Sequence, residues 1–77
     1  MGFKKLREEM SDAAISLEYV MRGHHWIGID ELADVCQCRR EIIEFTLEQM
    51  ICFDMVHRDK WGKYSLTPAY REFPSAA

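Results

Sequence analysis

Cysteine and histidine are the residues whose types invite metal or nucleophilic chemistry in this chain: Cys36, Cys38 and Cys52, with His24, His25 and His57. A Cys36-Gln37-Cys38 pair, a third thiolate and one imidazole would supply four nitrogen and sulfur ligands of the kind that hold zinc. Their positions argue against convergence. Cys36 and Cys38 occupy aliphatic positions flanking a turn, whereas Cys52 projects from the other side of the following helix, so the expectation is small buried hydrophobes and no metal. A catalytic cysteine–histidine pair would need an oxyanion site or a pocket that nothing here supplies, so neither an enzyme nor a cofactor is expected. Three thiols cannot all pair within one chain, and Cys36 and Cys38 are too close for an easy bridge, which fits a reducing compartment.

The remaining chemistry is electrostatic. Arg58, Lys60 and Lys63 surround a single Asp59, with Trp61 between them, giving that stretch a local balance of +2. Arg39 and Arg40 sit at the start of a helix, and Lys4, Lys5 and Arg7 lie near the start of the chain. Guanidinium and ammonium groups can meet phosphates, and a guanidinium can also meet a guanine edge. From Arg39 to Asp54 the balance reverses to −2, because Glu41, Glu44, Glu48 and Asp54 outnumber the two arginines. Phe45 stands among these acids as either an anchor for a basic protein partner or a packing residue.

These side chains need a scaffold, and periodicity describes one. Met10, Ala13, Ala14, Leu17, Val20 and Met21 recur at three- and four-residue steps, which predicts an amphipathic helix ending at Gly23; Ser11 is an alternative N-cap for a shorter version. Ile15 and Tyr19 form a second stripe, available to a dimer seam or to the terminal helix. His24 to Ile29 suits a brief strand or extended connector. Asp30 is expected to cap a short helix through Cys36, with Gln37-Cys38 as the turn where a glycine is more usual. Ile43, Thr46, Leu47 and Met50 share one side of a third helix over residues 39–52. Residues 55–58 and 63–66 then read as a hairpin around Asp59-Lys60-Trp61-Gly62, and Thr67-Pro68 as the cap and first turn of a last short helix through Phe73. The tail 74–77 is expected to fray.

At 77 residues the chain is one small domain, with too little core to support a deep catalytic cleft as well. Its 48% hydrophobic and 30% charged residues are those of a folded domain, since a disordered chain has too little apolar surface to offset its ordering entropy. No apolar run approaches the roughly 20 residues that span a bilayer, and the first residues lack the apolar stretch of a signal peptide, so a cytoplasmic location without membrane contact is expected. A net charge of −3 weighs against a chain whose whole surface serves nucleic acid.

The Asp30–Val56 stretch, with Leu32-Ala33 before the turn and Ile43, Leu47 and Met50 after it, resembles a helix-turn-helix. The full order of helix, short strand, helix, turn, helix, hairpin and terminal helix resembles the winged helix-turn-helix superfamily of small bacterial and phage-type transcriptional regulators over residues 11–73. Tyr64-Ser65-Leu66-Thr67 looks like the segment by which many such regulators leave the wing. The resemblance implies a mainly α fold with a small β-hairpin: a three-helix core, a wing and a short C-terminal helix, preceded by a basic lead-in over residues 1–10. It also implies non-enzymatic DNA binding, with the third helix entering the major groove and the wing touching the backbone; a homodimer is expected because one module this size buries little DNA surface and operators usually pair half-sites.

The candidate DNA contacts are then Arg39, Arg40, Arg58, Lys60, Trp61, Lys63, Lys4 and Lys5, with Glu41, Glu44 and Phe45 also on the helix that would face DNA. The alternative is a winged-helix interaction module in which Glu41, Glu44, Phe45 and Glu48 dock on a basic protein. For the wing, a solvated hairpin whose Trp61 packs back on the core stands beside the DNA-contact reading.

Overall fold

The first helix begins where the sequence offers an oxygen to its free amides. In the computed structural model, which describes residues 5 and 8–72, the Ser11 hydroxyl accepts from the Ala14 N–H and starts α1 (Asp12–Arg22). The shorter of the two expected helices therefore forms. Lys4 and the tail 73–77 lie outside the described residues, and so does most of the basic lead-in; Lys5 is exposed.

Strand β1 (Ile27–Gly28) leads directly into α2 (Ile29–Cys36). The expectation for Asp30 is corrected here. Gly28 is the N-cap, without a side-chain hydrogen bond, and Asp30 falls inside the first turn, where a carboxylate still complements the helix dipole. Its side chain is spent elsewhere, as described below. Gln37 ends α2 in the left-handed conformation at φ 54°, so the turn is made by a polar residue accepting that cost. Arg39 then caps α3 (Arg40–Cys52), and Asp54 turns the chain out of it at φ 62°.

Strands β2 (Val56–Arg58) and β3 (Lys63–Leu66) form the expected hairpin, pairing Val56 with Leu66, His57 with Ser65 and Arg58 with Tyr64. β1 adds to the free edge of β3, pairing Ile27 with Tyr64 and Gly28 with Lys63. The result is a three-stranded antiparallel sheet in the order β1-β3-β2 beside four described helices. Thr67 closes the corner: its hydroxyl donates to the Asp54 carbonyl and accepts from the Tyr70 N–H at the start of α4 (Pro68–Glu72).

The core lies where the inner faces of α1, α2, α3 and the sheet meet. Leu17, Met21, Leu32, Ile43 and Leu47 are fully excluded from water, with Ile27, Val56, Leu66 and Tyr70 around them. Each such side chain contributes about 1.5–3 kcal/mol of burial free energy. The four α3 residues expected to face inward, Ile43, Thr46, Leu47 and Met50, all do so. Cys36 and Cys38 are half-buried at the edge of this core rather than enclosed within it, and Cys52 is exposed. Burial, followed by the neighbouring Cys38, raises the Cys36 thiol above its ordinary value.

Arg71 locks the last helix onto the first. Its guanidinium donates to the carbonyls of Met21, Arg22 and His24 at the end of α1 and to Ser65 Oγ on β3. Arg22 reciprocates by donating to the Arg71 carbonyl, pairing with Glu18 and lying 5.2 Å over the Tyr70 ring. Among the described residues no helix is long and apolar enough to cross a membrane.

Candidate functional site

Two adjoining concavities gather most of the charged residues singled out from the sequence. The first lies between the β2–β3 hairpin and the start of α2, and five of the candidate DNA contacts line it, Arg40, Arg58, Lys60, Trp61 and Lys63, together with the carboxylates Asp30, Glu31 and Asp59. The second lies along the outer face of α3, and Glu41, Glu44, Phe45 and Glu48 line it together. Ile29, Arg58 and Tyr64 border both. Arg39, exposed at the start of α3, lines neither, and Lys4 is outside the described residues.

The cations are not equivalent. Arg40 pairs with Asp30 and with Glu44, the latter at 3.0 Å, and these partners raise its pKa, the hydrogen bond to Glu44 first and the charge of Asp30 next. Arg58 lies 3.6 Å from Glu48 and donates to the Tyr64 hydroxyl at 3.5 Å; Tyr64 and then Glu48 hold its guanidinium charged. Both arginines therefore carry internal counterions. Among the described residues Arg39, Lys60 and Lys63 have no carboxylate partner.

The hairpin tip is a built turn. The Asp59 carboxylate accepts from the Trp61 and Lys63 amides at 2.9 and 2.8 Å, and the Asp59 N–H donates to the Lys63 carbonyl at 2.9 Å. Gly62 supplies the left-handed residue, at φ 80°, that a three-residue loop needs before its strand returns. Asp59 thus directs one carboxylate oxygen, Oδ1, to two backbone amides and forms no ion pair with either flanking lysine. Trp61 is 74% exposed, with the Lys60 ammonium 4.6 Å over its ring. The solvated-hairpin reading in which Trp61 packs back on the core is corrected by that exposure.

The α3 face is a different surface. Phe45 is 65% exposed, so the packing role open to it from the sequence is not filled among the described residues. Glu41, Glu44 and Glu48 surround it, all exposed. Ile15 and Tyr19 also stand in solvent on α1, the latter at 82%, and α4 does not cover them. On the sheet, Trp26 stacks on His57 at 4.9 Å between centroids. Among the described residues no group of three or more histidine, cysteine, aspartate or glutamate side chains is arranged to hold a metal ion.

Sequence reasoning missed Asp30 and Tyr64 as site residues. Asp30 looked like a helix cap, and nothing local announces an ion pair with a residue ten positions later. Tyr64 had a findable signal: it is the cross-strand neighbour of Arg58 once the hairpin register is set by its turn. The chain matches no protein-family model, no curated protein and no solved structure.

Proposed function

We propose that the chain is a non-enzymatic, cytoplasmic DNA-binding transcriptional regulator of the winged helix-turn-helix type, contacting DNA chiefly through the hairpin as its wing. The observation that carries this reading is the grouping of Lys60, Trp61 and Lys63, none of them in an ion pair among the described residues, in one concavity with Arg40 and Arg58, where the four cations outnumber the carboxylates Asp30, Glu31 and Asp59. The helix order, the left-handed turn at Gln37 between α2 and α3, and the strand order β1-β3-β2 support the fold assignment. Phosphate neutralisation supplies most of the affinity in such complexes, so lysines outside ion pairs matter more than net charge. One module of this size covers little DNA, which favours a homodimer, and Ile15 with Tyr19 is the exposed apolar stripe available to its seam.

The test is a mobility-shift series at low salt against genomic fragments, with Lys60→Ala and Arg40→Ala variants. Lys60→Ala is expected to weaken binding to all fragments alike. Arg40→Ala should weaken it less, because Arg40 already has two carboxylates beside it. Failure of any fragment to bind more tightly than bulk DNA rejects sequence-specific regulation.

One observation favours a second reading. Phe45 lies exposed in an open groove of about 500 Å³ with Glu41, Glu44 and Glu48, and the arginine that lines it, Arg58, is paired with Glu48. An aromatic anchor ringed by carboxylates suits a basic protein partner, whereas three carboxylates facing a phosphate-lined groove are repelled. In this reading α3 is a docking face. Phe45→Ala would abolish that complex and leave any hairpin contact with DNA intact.

A further inference from the structure

We infer that the hairpin tip is a stacking platform for an unpaired base, so that the DNA this chain prefers is single-stranded or carries unpaired nucleotides. The inference rests on the DNA-binding part of that reading alone: it puts an unpaired stretch in place of a continuous duplex as the hairpin's target and assigns the hairpin no choice among sequences. Trp61 presents 74% of its surface to water at the end of the most cationic element. Every base has an apolar face able to stack on an indole, and such contacts tolerate any sequence.

The ring is held ready for that contact. The Asp59 carboxylate and the left-handed Gly62 fix the turn that carries it, so little backbone freedom remains to be lost on binding. Lys60 covers one face of the indole at 4.6 Å, which leaves the opposite face for a base and sets an ammonium beside that nucleotide's phosphate. Lys63 flanks the other side of the turn. Stacking and charge neutralisation are combined within four residues.

Continuous duplex fits this surface poorly. The acidic groove of Glu41, Glu44 and Glu48 adjoins the hairpin's concavity, and a continuous duplex, with phosphates on two strands, is harder to seat clear of it than a single strand. The duplex's bases are also stacked on one another and offer the indole no face except at an end. A single strand has a lower charge density and meets the tip alone.

The experiment uses the full chain with a labelled oligothymidine and a blunt duplex of equal length, followed by fluorescence anisotropy at matched salt. Trp61 emission is read in a Trp26→Phe background, so that one indole reports. Charge alone predicts that duplex binds more tightly, because it releases more counterions. The expected result is the reverse, by about tenfold or more, with quenching of Trp61 on the single strand. Trp61→Ala should cost about tenfold to a hundredfold on the single strand and little on duplex, and Trp61→Phe should restore most of the loss. Duplex binding as tightly as the single strand, or an unchanged single-strand affinity in Trp61→Ala, overturns the inference and leaves DNA binding standing. Absence of binding to either DNA overturns both.

Discussion

Reversing two charges on α3 tests whether its acidic face excludes DNA. In E44K/E48K each exchange adds two positive charges, moving the formal net charge from −3 to +1. The same exchanges release Arg40 from its 3.0 Å partner and Arg58 from its 3.6 Å partner. All four side chains are at least half exposed, so solvent screens both pairs, and neither their loss nor the new like-charge contacts on the helix weigh much on stability. The fold should survive the double exchange.

The electrostatic gain is larger. If two further phosphates are neutralised, the slope of log affinity against log salt steepens by about 1.8, and the fall between 50 and 200 mM salt grows by roughly twelvefold. Anisotropy titrations of duplex DNA across that range measure it directly, with circular dichroism as the check on folding. An unchanged slope would mean that α3 stays away from the phosphates even when basic, and the repulsion argument would fail. If E44K/E48K instead abolishes capture of a basic protein and leaves the salt slope alone, the docking-face reading gains.

Arg71→Ala removes four donor contacts from the junction of α1, β3 and α4, and is expected to cost about 2–3 kcal/mol, or roughly 10–20 °C in melting temperature. Arg71→Lys should recover less than half, because one ammonium cannot span the fork that the guanidinium fills. The Cys36 thiol, raised by burial, binds its proton more tightly in the folded chain; its stabilising contribution is complete below the ordinary thiol value of about 8.5 and is lost as pH climbs through the folded value. Thermal unfolding from neutral to alkaline pH should therefore show a steeper decline in the wild type than in Cys36→Ser.

The hairpin and the helices were legible for reasons that act within a few residues. The three- and four-residue recurrence of Ala14, Leu17 and Met21 marks one face of a helix whatever else the chain does. Ser11, Thr67-Pro68 and the Asp59–Gly62 turn satisfy or constrain backbone groups three or four positions away. The inward set Ile43, Thr46, Leu47 and Met50 follows from the same geometry. Asp30 was misread because an aspartate before an apolar helix carries the same local signal whether it caps or merely follows the cap.

By itself, then, the sequence determined that these helices form, which faces they bury and which charges sit on α3 and on the hairpin, while their starts were fixed only to within a few residues. Only the tertiary structure decided how those charges are spent. Arg40 meets Asp30 across ten residues, Arg58 meets Glu48 across another ten, and Arg71 reaches carbonyls nearly fifty residues earlier. Pairings of that kind depend on how whole elements pack, and packing is fixed by the apolar core beneath them, which leaves no trace in the spacing of the charges. The same packing left Trp61 and Phe45 in solvent, one on a cationic tip and the other in an acidic groove.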